Sequence, residues 1–210
     1  MEKILYVKAS PREERSHSVA VAETFLKTYK THHPNVEVMT IDLFKILLPS
    51  FNKETINARY SLGSGETLTA EQLKAWQPIE QLIAQFKAAD KYVFAVPMWN
   101  FGIPYLLKQY FDVIIQPSYT FSYSPDKGYE GLVTGKPAFL SVARGGTYPA
   151  GTPYEAYDMQ KKYLETALGF IGFTDIKTVV VEPTLAKGPT GAKEAREDAK
   201  LRAQELATGF

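Results

Sequence analysis

The chain predicts a doubly wound α/β fold, a five-stranded parallel sheet in the order 2-1-3-4-5 with helices on both faces, as one domain over residues 1–210. Short apolar runs of strand length alternate with segments of helical period, the pattern of right-handed β-α-β crossovers. The central runs are continuously apolar rather than alternating, as expected of strands covered on both faces. No repeat, low-complexity tract or linker divides the chain.

Ile4–Ala9 reads as the first buried strand, ending in Ser10-Pro11. His17 to Lys30 follows with Val19, Ala22, Phe25, Leu26 and Tyr29 at helical spacing behind a serine-rich start. Val36–Asp42 is the second strand. Phe44–Gly65 reads as an irregular, turn-rich connection, long enough to suggest a functional loop. Thr69-Ala-Glu-Gln72 is a capping box opening a helix to about Ala88, with Leu73, Trp76, Ile79, Ile83 and Phe86 on one stripe. Lys91–Val96 is the third strand and Pro104–Ile115 a helix with proline in its first turn. Thr120–Tyr123 reads as a small strand before a turn-rich stretch to Gly135. Pro137–Ala143, Tyr154–Ile171, Lys177–Val181 and Lys193–Ala207 complete the alternation as strand, helix, strand and helix.

Composition narrows the function. Of 210 residues, 45% are hydrophobic and 22% charged, an ordinary globular balance. A net charge of +1 gives no global field for nucleic acid or an anionic membrane. Without cysteine there is no disulfide, thiolate nucleophile or cysteine-based metal site. The three histidines have no metal-binding spacing. No apolar stretch is long enough for a membrane span, and no signal peptide is readable, so a cytoplasmic location is expected.

A doubly wound sheet binds its ligand beyond the carboxyl ends of its strands, where the strand order reverses. Three loops should meet there. Ser10-Pro-Arg-Glu-Glu-Arg-Ser16-His17-Ser18 joins the first strand to the first helix and offers hydroxyls plus unpaired helix N–H groups, which favour an anion such as a monophosphate. Simple helix capping explains the same serines. The second loop, Pro97-Met98-Trp99-Asn100-Phe101-Gly102, has apolar side chains that would wall a flat heteroaromatic ring, although aromatics at a strand end are commonly core. In the third, Arg144-Gly145-Gly146, adjacent glycines permit close approach of backbone to ligand, and Arg144 would place a positive charge near a developing anion or pair elsewhere. Neither a P-loop nor a dinucleotide-binding glycine pattern is present.

Together these loops resemble the FMN-dependent NADH azoreductases, a family of the flavodoxin-like superfamily that includes NAD(P)H quinone reductases. The resemblance rests on Ser10, Ser16-His17-Ser18, Pro97-Met98-Trp99-Asn100-Phe101 and Ala143-Arg144-Gly145-Gly146. Glu130–Lys136 and Leu168–Phe173 match as well, so it spans the chain in order. It implies a flavodoxin-like fold in which Ser10, Ser16, His17 and Ser18 hold the FMN phosphate. Pro97, Met98, Trp99, Asn100 and Phe101 would line the isoalloxazine, and Ala143, Arg144, Gly145 and Gly146 its pyrimidine end. It further implies a homodimer, with Phe44–Tyr60, Tyr119–Tyr129, Phe170 and Phe173 closing each other's substrate pockets and Tyr123 available to an acceptor.

The implied reaction passes hydride from NADH or NADPH through FMN to quinones and azo compounds. One open flavin face makes the substrates alternate in a ping-pong scheme. A quinone or nitro-compound reductase with incidental azo reduction, an electron carrier without enzymatic activity, and a flavin-free scaffold are the competing readings. Three positions depart from the family pattern: His17 for the common Gln, Trp99 for Tyr, and Ala143 for Ser. The lost tyrosine hydroxyl bears on substrate preference.

Overall fold

The computed structural model describes residues 1–210. Its main sheet contains β1 (Lys3–Lys8), β2 (Glu37–Asp42), β3 (Lys91–Pro97), β6 (Ala138–Ala143) and β7 (Ile176–Val181), all parallel, in the order β2-β1-β3-β6-β7. Renumbered within the sheet this is 2-1-3-4-5, as the alternation predicts. A separate antiparallel hairpin, β4 (Phe121–Ser124) and β5 (Gly128–Gly131), interrupts the pattern between β3 and β6.

The helices are α1 (His17–His32), α2 (Lys53–Ser64), α3 (Ala70–Lys87), α4 (Tyr105–Ile114), α5 (Met159–Phe170) and α6 (Gly188–Thr208). The continuous apolar runs lie where burial on both faces requires them: β6 is buried at every residue and β3 from Tyr92 to Val96. One core layer gathers Trp76, Ile79, Ile83, Phe86, Tyr110 and Phe111 against the sheet. The opposite layer sets Phe25 of α1 on Phe139 of β6, ring centroids 3.9 Å apart, with Ala199 and Ala203 of α6 beside them. No helix is long and apolar enough to cross a membrane.

Three expected boundaries move. Phe44–Gly65 is not wholly irregular, because it contains α2. That helix buries only Thr55 and Ala58, so it has no apolar stripe to read. Reciprocal Asn52–Thr55 capping and left-handed Gly65 define its ends instead. The helix expected from Tyr154 is split into a 3₁₀ turn, Pro153–Tyr157, and α5, whose Asp158 carboxylate accepts from the Lys161 N–H. Finally, α6 starts at Gly188, with Pro189 in its first turn, rather than at Lys193.

Candidate functional site

The carboxyl ends of β1, β3 and β6 form one rim. The Ala9 N–H donates to the Ala95 carbonyl, and the Met98 N–H to the Ala143 carbonyl, so the loops leave the sheet side by side. In the first loop Ser10, Ser16 and Ser18 are all buried. Ser16 caps α1, its Oγ accepting from the Val19 N–H and lying 3.2 Å from Ser18 Oγ. The Ser141 hydroxyl of β6 donates to the Ser18 carbonyl at 2.8 Å, pinning the start of α1 to the middle of the sheet. The N–H groups of His17 and Ser18, at the positive end of the helix, find no acceptor within the chain.

In the second loop Trp99 and Gly102 exchange both backbone hydrogen bonds at 3.0 Å, closing a two-residue turn. Its central residues have positive φ, 47° at Asn100 and 70° at Phe101. That is the type I′ pattern, usually carried by Asn-Gly. Asn tolerates the left-handed region, whereas Phe101 is held there at a cost of about 1–2 kcal/mol. The turn raises the unused N–H groups of Asn100 and Phe101 at its tip. Neither aromatic folds into the core. Trp99 is half-buried between Phe44 and Tyr105, at 5.8 and 6.2 Å, and Phe101 remains 45% exposed.

Gly145 and Gly146 also carry unused N–H groups. The loop is shaped from behind by a segment the sequence reading passed over. Thr184 donates from its N–H and its hydroxyl to the Arg144 carbonyl, while Leu185 and Ala186 donate to the Gly145 carbonyl. A Cβ on Gly145 would stand 2.9 Å from Leu185 Cδ1, the end of an exposed side chain that can swing aside. Arg144 is 3% exposed, and its guanidinium lies 2.8 Å from Asp158 and 3.5 Å from Glu182. The free positive charge expected near a developing anion is therefore matched inside the protein. Burial raises the Glu182 carboxyl above its usual range, partly opposed by Arg144.

The rim has a cavity at each end. One, of about 410 Å³, is lined by Phe101, Gly146, Thr147, Tyr148, Tyr154 and Tyr157, with Phe101 and Tyr157 rings 5.1 Å apart. The other, of about 460 Å³, is lined by His17, Thr184, Leu185, Lys193 and Arg196 among others, with no carboxylate. Burial lowers the His17 pKa, and the positive charges of Arg196 and Arg12 lower it further. Arg196 was not legible as a site residue, because it stands in a charged helical run that reads as a solvated face.

Buried hydroxyls and unpaired N–H donors thus join an aromatic slot through a glycine bend, a donor set that fits a phosphorylated flat ring such as FMN. The structure does not bring Tyr123 and Phe170 to this rim. Tyr123 packs on Tyr129, and Tyr129 on Phe170, at 4.9 and 5.5 Å. Phe170 ends α5, whose 12 residues span about 18 Å. These aromatics therefore sit at the far end of α5 from the rim, where Phe170 meets the hairpin, with Tyr123 62% exposed.

Comparison with known proteins agrees with this geometry. A family model described as flavodoxin-like fold matches residues 2–207. An FMN-dependent NADH:quinone oxidoreductase of Nitratidesulfovibrio vulgaris is 55% identical over the full length of both chains. One of Desulfotalea psychrophila is 42% identical, covering 99% of this chain and 97% of its own. Among solved structures, an azoreductase from Bacillus anthracis superposes with TM-score 0.91 at 38% identity, with full coverage of both chains. An FMN-dependent NADH-azoreductase of the same species, solved in complex with FMN, gives 0.86 at 31%, covering 99% of this chain and 100% of that one. The chain belongs to the flavodoxin-like family that these FMN-dependent NADH:quinone oxidoreductases and azoreductases represent.

Proposed function

We propose that the chain is an FMN-dependent oxidoreductase that uses NADH to reduce quinones and, by reductive cleavage, azo compounds. The observation that carries this reading is the gathering of unused N–H donors at His17, Ser18, Asn100, Phe101, Gly145 and Gly146 on the rim where Phe101 and Gly146 line one aromatic cavity. Bound there, FMN would supply the redox chemistry, taking hydride from the nicotinamide and giving it to the acceptor.

The residues of the chain bind and orient. Ser10, Ser16 and Ser18, with the first N–H groups of α1, hold the phosphate. Pro97, Met98, Trp99 and Phe101 would wall the ring, while the N–H groups of Asn100, Gly145 and Gly146 would meet its polar edge as fixed dipoles where negative charge develops. The Arg144–Asp158–Glu182 cluster holds the glycine bend in place. With these side chains covering one face of a bound ring, nicotinamide and acceptor would have to share the other in turn. Initial-velocity plots should therefore give parallel lines, and lines meeting at a point contradict the alternation.

The exposed aromatic hairpin supports a homodimer. Tyr123, Tyr129 and Phe170 form an apolar patch of the kind that marks an interface, and from a second copy they would close the acceptor pocket. The absence of cysteine suits a cytoplasmic location.

Anaerobic mixing of the FMN-loaded protein with NADH or NADPH, followed by a panel of quinones and azo dyes, tests the function. Bleaching by NADH and recovery of colour with quinones are expected. Flavin that neither nicotinamide bleaches would rule out the enzyme and leave an electron carrier.

A further inference from the structure

The phosphate end of the rim carries more positive charge than its serine loop explains. Arg196 Nε and His17 Nδ1 are buried without a hydrogen-bond partner, and both residues line the cavity of about 460 Å³ between the start of α1 and α6. Lys193 lines it too, and the charge of Arg12, on the loop, is felt at His17. The Arg196 side chain is 29% exposed, and its ion pair is with its neighbour Glu197, at 3.6 Å. That carboxylate is half exposed and also binds Lys200 at 3.0 Å. Such a shared surface contact neutralises a guanidinium weakly. Two cations of α6, Lys193 and Arg196, therefore line a cavity that reaches the first residue of α1 and holds no carboxylate, an arrangement that repels itself until an anion enters.

Neutral hydroxyls and amides favour a phosphate over an alcohol through charge-assisted hydrogen bonds alone, whereas a guanidinium adds a full opposite charge to that discrimination. We propose that Arg196, reaching from α6, forms a charge-reading wall of the phosphate cradle beside the neutral His17 ring at the first position of α1, so that the site selects the phosphorylated flavin over riboflavin. This deepens the FMN reading and rests on it. Arg196 acts as a cofactor-binding residue contributed by the helix farthest along the chain from the serine loop, and α1–α6 packing sets its position.

The test removes flavin from the purified protein and titrates it back with FMN and, separately, with riboflavin, following quenching of flavin fluorescence. Wild type should prefer FMN. Arg196→Gln should lose about tenfold or more in FMN affinity, the scale of one charge-assisted contact, while riboflavin affinity stays within about twofold. Arg196→Lys should recover most of the loss, and His17→Gln should show a smaller loss in the same direction. Added salt should narrow the FMN–riboflavin gap more in wild type than in Arg196→Gln. Unchanged FMN affinity in Arg196→Gln, or equal loss for both flavins, would overturn the charge-reading role and leave the FMN reading standing. Wild-type protein that binds neither flavin would overturn that reading and this proposal together.

Discussion

The two rims of the sheet are built from the same strands and are used in opposite ways. At the amino ends the donors are satisfied within the chain. The Lys3 N–H donates to the Asp90 carboxylate at 2.8 Å. Lys91 Nζ reaches the Tyr29 hydroxyl and the Phe210 carbonyl, at 2.7 and 2.6 Å, beside Glu2. Lys136 donates to the Lys87 and Ala89 carbonyls at the end of α3. At the carboxyl ends, N–H groups on all three rim loops are unused, and Asn100 and Phe101 are held at positive φ. One rim closes the fold, and the other keeps hydrogen-bonding capacity for a molecule outside the chain. Unpaired donors gathered with left-handed turn residues on one rim mark a binding surface more firmly than any single residue there.

Mutations on the two rims should therefore separate binding from stability. The largest effect is expected for the double change Ser16→Ala and Ser18→Ala. Losing two hydroxyls to a phosphate, about 1.5–3 kcal/mol each, should weaken FMN at least about 100-fold by fluorescence titration. Urea unfolding of the same variant should fall by only about 1 kcal/mol, the cost of a lost helix cap.

Lys91→Met should do the reverse. Removing the partner of Glu2, Tyr29 and Phe210 should cost about 2–3 kcal/mol in unfolding free energy, with FMN affinity unchanged within about twofold. Comparable losses of FMN affinity in these two variants would erase the distinction between the rims.

A finer prediction concerns the strained turn. Phe101→Gly relieves a left-handed phenylalanine, so stability should hold or rise by up to about 1 kcal/mol, even as an aromatic wall of the pocket disappears and quinone KM increases. A variant that loses stability and keeps its quinone KM would place Phe101 in the packing instead.

The smallest effect is one of pH. The folded-state pKa of His17 is lowered by burial and by Arg196 and Arg12. Its contribution to stability is thus present above the ordinary histidine value of 6.5 and lost as pH falls through the lowered one. The melting temperature of flavin-free protein should show this loss on acidification, and His17→Gln should not.

Most of the fold could be read from the sequence because burial on both faces leaves an unmistakable pattern. The run Tyr92–Val96 admits little besides a central strand, and the loops after such strands must gather at one rim. What escaped reading has weaker local signals. The helix α2 buries almost nothing and starts with an Asn–Thr cap rather than the Ser/Thr–Glu/Gln pattern. The turn at Asn100–Phe101 lacks the glycine that usually announces positive φ. The pairing of Arg144 with Asp158 and Glu182, and the approach of Arg196 to His17, join residues distant in sequence. Local periodicity carries no information about such contacts. Tyr123 and Phe170 could be picked out as a pair, but their distance from the rim of their own chain needed coordinates.

The sharpest measurement is an amide chemical-shift map of isotope-labelled protein before and after addition of one equivalent of FMN. Large shifts are predicted for His17, Ser18, Asn100, Phe101, Gly145 and Gly146, with Lys3, Lys91 and Lys136 unmoved. Shifts concentrated at the amino-end rim, or spread evenly over both, would contradict the assignment of the free donors to the cofactor.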